Sequence, residues 1–203
     1  MRARYAAVTF AMITALNVCA ADLGVNSFSR LGPLADPGYT PDHLGYPVDR
    51  IAERLDLLFT RRGEETLTLC LAFADEKLAE ANIMVRASEA GYAWIAVGLY
   101  KDYIKRAARA IDAVPASALA ASRLRYANAL LEHLYRLSLN YLTMPIDVRE
   151  FSFTPLVNSA FFSFEAQRDL LSTPARDGLL LREEEVRRAI ELMRKADVAR
   201  VVN

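Results

Sequence analysis

Residues 64–88 carry the sequence EETLTLCLAFADEKLAEANIMVRAS, and this stretch decides the fold class of the chain. Its apolar residues recur every three or four positions, the period of an α-helix with one buried face. The members of this apolar stripe are Leu67, Cys70, Leu71, Ala74, Leu78, Ala81 and Val85. The residues expected on the opposite, solvated face are Asp75, Glu76, Lys77, Glu80 and Arg86. We therefore predict a long amphipathic helix from about Glu64 to Ser88.

The same period recurs on both sides of this stretch, and the whole chain contains only 8 Gly and 8 Pro. Few glycines and prolines favour long helices over many short strands and tight turns. Further helices are predicted over Pro47–Thr60, Tyr92–Val114, Ala116–Thr143, Pro155–Leu171 and Leu181–Val201. We expect a break at Gly91 and a loop at 172–178. The fourth helix is apolar over a wide arc, which predicts a central position.

The helix that begins at Pro47 has a clear division into two faces. Its apolar face consists of Val48, Ile51, Ala52, Leu55, Leu58 and Phe59. Its polar face consists of Asp49, Arg50, Glu53, Arg54 and Asp56. Since an apolar face usually packs on the core, we expect the first set to be buried and the second to be solvated.

The N-terminus has the pattern of a secretory signal peptide. Arg2 and Arg4 precede an uncharged run from Ala6 to Val18, and small residues follow at 19–21. We predict cleavage after Ala20 or Ala21, hence a periplasmic or secreted protein. The alternatives are a buried first helix and an uncleaved segment that anchors the protein in a membrane.

The expected domains are a signal peptide (1–21), a linker (22–43), a helical bundle (44–143) and a C-terminal helical extension packed on the bundle (144–203). The fold class is thus all-α, a bundle of long antiparallel helices. Lys and Arg together number 25, and Asp and Glu together also number 25. Loss of residues 1–20 would remove two arginines and no acidic residue. Such a near-neutral protein lacks the positive surface of a nucleic-acid-binding protein.

Chemical motifs point away from catalysis. We find no Gly-x-Ser-x-Gly, no phosphate-binding glycine loop and no Cys-x-x-Cys-His in the sequence. Neither His43 nor His133 has metal-ligand neighbours at the usual spacing, so each is expected to be structural or on the surface. Cys70 lies among apolar residues and is expected in the core. Glu76 and Glu80 share a helix face, as an acid–base pair or cation site would require, but a solvated face is the expected arrangement. The prediction is no catalytic residue, no metal and no cofactor.

Five phenylalanines within fourteen residues are the most suggestive feature. They are Phe151, Phe153, Phe161, Phe162 and Phe164. Two interpretations are open: a patch that binds a partner or lipid, or side chains that lock this segment onto the bundle. The second is the expected one, and the first makes these residues the candidate partner patch.

The sequence from Gly45 onward resembles a known bacterial family. The resemblance rests on Gly45-Tyr46-Pro47, the helix that follows it, and the stretch from Leu71 to Ala81. The family is the domain of unknown function 5667, and the resemblance covers about residues 44–110, extending towards 140. It implies a helical module on exported or membrane-anchored bacterial proteins, and it implies no activity.

The function expected from these observations is a non-catalytic interaction or scaffold module of the bacterial cell envelope. Its partner would be an unknown envelope protein, with membrane contact only through a retained N-terminal segment. The alternative is a carrier that binds a small apolar molecule or lipid between the fourth and fifth helices. An enzyme with scattered catalytic residues is a third class.

Overall fold

The computed structural model describes residues 35–141 and 154–201, and side chains over 35–139 and 156–195. All regular structure in these ranges is α-helical, as predicted. The helices are α1 (Tyr46–Phe59), α2 (Gly63–Arg86), α3 (Ala90–Ile111), α4 (Ala116–Tyr141), α5 (Thr154–Arg168) and α6 (Thr173–Val201). The proposed signal peptide lies outside the described residues, and 35–45 form non-helical turns that lead into α1.

Helices α2 and α3 form the most extensive pairing of the fold. The predicted stripe of α2 is buried along its whole length, from Leu67 to Val85. Opposite it, α3 buries Val97, Tyr100 and Ile104, while Trp94 is 47% exposed. The α2 stripe therefore forms one wall of the core.

The turn between α2 and α3 is built by Ser88 rather than by Gly91. Ser88 has φ of +64°, a left-handed conformation that L-residues seldom adopt. The Glu89 N–H donates to the Met84 carbonyl at 2.8 Å, and the Ser88 N–H donates to the Val85 carbonyl at 3.1 Å. This pair of hydrogen bonds is the Schellman motif that ends many helices. Gly91 lies inside α3, so the predicted break was placed three residues too late.

Helix α4 is central, as its wide apolar arc predicted. It contacts α2, α3, α5 and α6. Leu130, Leu131 and Leu134 are fully buried and join the side chains of α2 and α3 to those of α5 and α6 in one core cluster. The described C-terminal helices thus pack on the same core as α2 and α3.

Helix α6 begins at Thr173, eight residues before the predicted start, so the loop expected at 172–178 is wrong. Pro174 fits there because the first turn of a helix does not need its missing N–H. Leu179 is buried in the core and fixes this extra part of the helix. A glycine inside a helix weakens it by about 1 kcal/mol, and tertiary packing overrides this cost at Gly178.

Candidate functional site

Helix α1 is oriented opposite to expectation, with its apolar face towards solvent. Val48 is 69% exposed, Leu58 73% and Phe59 75%, and Ile51 and Leu55 are also exposed. We call these five residues the α1 stripe. The predicted burial of this face is therefore wrong, although the predicted helix is correct.

The side of α1 that faces the protein is instead mostly polar. Tyr46 and Glu53 are buried there, Asp49 and Arg50 are half-buried, and Leu57 packs against the edge of the core. Because charged groups lose hydration when buried, this arrangement requires compensating partners. The partners come from α2 and α3.

Lys77 of α2 is at the centre of these partners. It is completely buried, and its Nζ lies 2.5 Å from Glu53 Oε1 and 3.1 Å from Glu76 Oε1. Lys77 also donates to Glu80, whose second oxygen accepts a 3.4 Å hydrogen bond from the Tyr46 hydroxyl. Lys77 and Glu80 were expected on a solvated face, and both have no exposed surface. This buried charge network links α1 to α2.

Tyr103 extends the network to α3. Its hydroxyl donates to Glu53, and Arg50 contacts both Glu53 and the Tyr103 oxygen, at 2.6 Å for the latter. The Arg50 guanidinium also lies 5.5 Å from the centre of the Tyr103 ring, within range of a cation–π interaction. Glu53 thereby receives positive charge or a hydrogen bond from three residues on three helices.

Burial shifts the protonation of this network. It raises the pKa of Glu80 from 4.5 to about 7, against the opposing effect of Lys77. Burial also raises the pKa of Glu76. For Lys77, burial alone would lower the pKa, but its hydrogen bonds to Glu53 and Glu80 raise it above the ordinary value. The lysine therefore stays charged at neutral pH, whereas Glu80 is divided between its two forms.

Three carboxylates of this region, those of Asp49, Glu53 and Glu76, have oxygens within 4.8 Å of one another. Carboxylate clusters of this kind can hold a cation such as Ca²⁺. The Lys77 ammonium contacts two of the three and supplies positive charge at that place. We assign the cluster to the ion-pair network for this reason.

The two histidines have structural surroundings, as predicted. His133 is buried, with Nε2 2.6 Å from Asp75 Oδ1 and Nδ1 3.0 Å from the Tyr100 hydroxyl. The carboxylate requires a donor at Nε2, and in the neutral ring Nδ1 then accepts from Tyr100. His43 is exposed and accepts a 2.9 Å hydrogen bond from the Gly45 N–H. His133 thus bridges α2, α3 and α4.

Cys70 is a core residue, as expected. It has no exposed surface, and burial raises the pKa of its thiol to about 11. A thiol with so high a pKa is almost entirely protonated at neutral pH, and it is the thiolate that reacts. Cys70 is therefore inert.

The phenylalanine patch is not one surface within the described residues. Phe164 is fully buried, Phe161 packs at the edge of the core, and Phe162 is 72% exposed. Phe161 also lies under the Arg187 guanidinium, 4.4 Å from its ring centre. Phe151 and Phe153 lie outside the described residues. Of the three that are described, Phe162 is exposed, Phe161 is half-buried and Phe164 is buried.

An open cleft of about 260 Å³ lies between α5 and α6. Val157, Phe161 and Ile190 line it, together with charged groups that include Arg187 and Arg194. The carrier hypothesis placed an apolar cavity between the fourth and fifth helices, whereas this cleft has charged walls and a different position. Among the described helices, we find none with the length and apolar character needed to cross a membrane.

Part of the chain matches a known protein family. The sequence model of the family described as "Domain of unknown function (DUF5667)" matches residues 38–138, the segment from the turn before α1 almost to the end of α4. No curated protein and no solved structure matches the chain. The matched segment contains both the α1 stripe and the buried charge network.

Proposed function

Residues 38–138 belong to the family called domain of unknown function 5667, and on that premise we propose that the chain is a non-catalytic interaction or scaffold module of the bacterial cell envelope. The contact surface in this proposal is the α1 stripe. The observation that carries it is the orientation of α1, which buries charged groups and leaves an apolar face in water.

The energetics of this orientation support a binding role. Contiguous exposed apolar surface is uncommon on monomeric proteins and commonly marks a site of interaction. Turning α1 over would bury Leu55 and Leu58, and each fully buried side chain of that kind contributes about 1.5–3 kcal/mol. The ion pair of Glu53 with Lys77 and the hydrogen bond from Arg50 to the Tyr103 hydroxyl hold the opposite orientation instead. A partner that covers the stripe would bury these apolar side chains, and their burial would contribute to the free energy of binding.

The polar groups of the buried network support a structural rather than a catalytic role. Glu53 and Glu80 are both paired with Lys77 inside the protein, and Glu53 is also paired with Arg50. A catalytic acid or base must reach a substrate proton, directly or through one water molecule. Lys77 and Glu80 have no exposed surface from which to do so.

The interaction is tested by photocrosslinking in living cells. Benzoylphenylalanine replaces Leu58, towards the C-terminal end of the exposed stripe, or Arg109, an exposed residue of α3 that serves as the control. We expect a discrete protein adduct from position 58 and none from position 109. Equal adducts from both positions, or none from position 58, would remove the stripe as a contact surface.

The location is tested separately by N-terminal sequencing of the protein in the envelope fraction. The charged start and the short apolar run support a mature protein that begins at Ala21 or Asp22. A retained Met1 in that fraction would favour an anchored protein. Recovery of the whole chain from the cytoplasm would contradict the envelope role.

A further inference from the structure

We infer that the α1 stripe docks an acidic amphipathic helix of a different protein. This inference rests on the proposed function and names the chemistry of the partner. Its first basis is the spacing of the exposed apolar residues. Within α1, Val48, Ile51, Leu55 and Leu58 follow one another at steps of three, four and three, and all four are exposed. The exposed Leu44 lies in the turn four residues before Val48.

This alternation is the a/d pattern of a coiled-coil seam, in which apolar side chains insert between those of a facing helix. With Val48 and Leu55 at a positions, Ile51 and Leu58 take the d positions. The stripe spans α1, which at 1.5 Å per residue is about 21 Å long. A partner helix of about two heptads would cover it.

The seam is presented in a fixed orientation. The remaining heptad positions of α1 include Arg50, Glu53 and Leu57, which lie against α2 and α3. In an isolated coiled coil those positions face water. Because the buried network already holds α1, a partner would not have to order this helix, and that lowers the free-energy cost of association.

The charge on the flanks specifies an acidic partner. Arg54 lies at a g position, beside the seam, and the exposed Arg61 follows seven residues later, just beyond the helix end. Neither arginine forms an ion pair with any residue that the structure describes. The other flank carries Ala52 and Phe59, and Asp56 is one position farther from the seam. A facing helix with Glu or Asp at its own flanking positions would complement the two arginines.

A second copy of this chain does not provide that complement. In an antiparallel pair the g flanks of the two helices meet, so that Arg54 faces a flank of the other copy that carries arginine and no acid. In a parallel pair each g position faces an e position, which places Arg54 beside Phe59. Neither arrangement places a carboxylate beside Arg54, so the positive charge beside the seam favours a partner helix from a different protein.

The test uses two synthetic helical peptides with the same Leu and Ile seam, one with Glu and one with Lys at all flanking positions. Binding to the purified chain is measured by fluorescence anisotropy at low and at high salt. We expect the Glu peptide to bind about tenfold tighter at low salt, with the difference reduced at high salt. The Arg54→Glu/Arg61→Glu variant should reverse this preference.

The seam itself is tested with Leu55→Gln/Leu58→Gln, which should lower the affinity for the Glu peptide about tenfold or more. Since both side chains are exposed, the melting temperature should change little. The matched control is Leu180→Gln/Leu181→Gln, which changes two exposed leucines of α6. Equal weakening by the two variants would overturn the assignment to α1.

Three further results would overturn the inference. One is equal affinity for the two peptides, and another is self-association in the ultracentrifuge that the Leu55/Leu58 variant abolishes. The third is binding to vesicles with anionic lipid that exceeds binding to the Glu peptide. Crosslinks to protein from position 58 without a preference for the Glu peptide would contradict this inference alone. A preference for the Glu peptide without crosslinks in cells would contradict the proposed function alone.

Discussion

The Lys77 ammonium and the Glu53 carboxylate lie 2.5 Å apart across the contact between α1 and α2, and both side chains are buried. Together with the hydrogen bond from Tyr46 to Glu80, this ion pair holds α1 mainly through charge rather than through apolar burial. Loss of such a pair affects stability asymmetrically, because removal of one partner leaves the other charge buried and uncompensated.

The first prediction is that Lys77→Met destabilises the protein by about 3–5 kcal/mol, because Glu53 and Glu80 then lose their shared counter-ion. The measurement is urea-induced unfolding followed by circular dichroism. Arg188→Met is the control, since Arg188 pairs with Glu184 on the surface, and its loss should change stability by about 1 kcal/mol or less.

Replacing all three charges at once should be milder than replacing the lysine alone. In Lys77→Met/Glu53→Leu/Glu80→Leu the lysine and the two carboxylates that share it are removed together, and apolar replacements of similar volume are often neutral or stabilising. Arg50 loses its ion pair with Glu53 in this variant but keeps its hydrogen bond to the Tyr103 hydroxyl. If the triple variant is less stable than Lys77→Met, the buried network is not the source of the loss.

The sequence contains a signal for the burial of Lys77 that residue type alone conceals. Lys77 lies seven residues after Cys70 and seven before Met84, and all three are buried. Its position in the helical repeat therefore predicts the buried face of α2, whereas its charge suggests the solvated face. The rule that charged residues face water holds unless a partner is present, and two partners of Lys77, the Glu53 carboxylate and the Tyr46 ring, come from another helix.

Helix α1 shows a second limit of sequence analysis. The apolar period correctly predicted which residues share a face, because that depends only on the helix repeat. It did not determine which face points inward. That choice depends on whether α2 and α3 offer apolar or charged surface at the contact, and they offer Lys77 and Tyr103. The α2 stripe and the α6 ion pairs, such as Glu183 with Arg187, were predictable because they depend on one helix.

The second prediction concerns the pH dependence of stability. The pKa of Glu80 rises from 4.5 in the ordinary state to about 7 in the folded protein. A raised folded-state pKa means that the folded protein holds this proton more tightly than the unfolded chain. The contribution of Glu80 to the free energy of unfolding is then fully present below pH 4.5 and is lost as the pH rises through 7. We expect the free energy of unfolding to fall between about pH 5 and pH 8.

Glu80→Gln tests this assignment, because glutamine stays neutral at every pH. Variant and wild type should be similar in stability near pH 4.5, and the variant should be about 1–3 kcal/mol more stable at pH 8. Glu76, whose pKa is also raised, leaves part of the slope in place. The exposed Glu64→Gln is the control and should leave the slope unchanged. If the free energy of unfolding of Glu80→Gln changes with pH as steeply as that of the wild type, other groups cause the pH dependence.

The third prediction concerns the left-handed residue between α2 and α3. Ser88→Gly should raise the free energy of unfolding by about 0.5–1 kcal/mol, because glycine adopts φ of +64° without the steric cost of a Cβ. The neighbouring Ala87→Gly is the control: its φ is −76°, so glycine gains nothing there and should destabilise. Thermal unfolding of both variants distinguishes them by the sign of the change.

The last prediction separates two phenylalanines two residues apart on α5. Phe164 has no exposed surface and packs in the core, whereas Phe162 is 72% exposed. Phe164→Ala should therefore lower stability by about 3–5 kcal/mol, from lost apolar burial and the cavity that remains.

Phe162→Ala removes an equal side chain from the same helix, so it controls for the change in chain composition, and it should alter stability by about 0.5 kcal/mol or less. The two variants are compared by urea unfolding at one temperature. Similar losses would show that Phe162 is covered in solution, and the outer side of α5 would then be a second contact surface beside the α1 stripe. A large loss of stability in Phe164→Ala alone would assign Phe164 to the core. The α1 stripe would then be the exposed apolar face to examine for a partner.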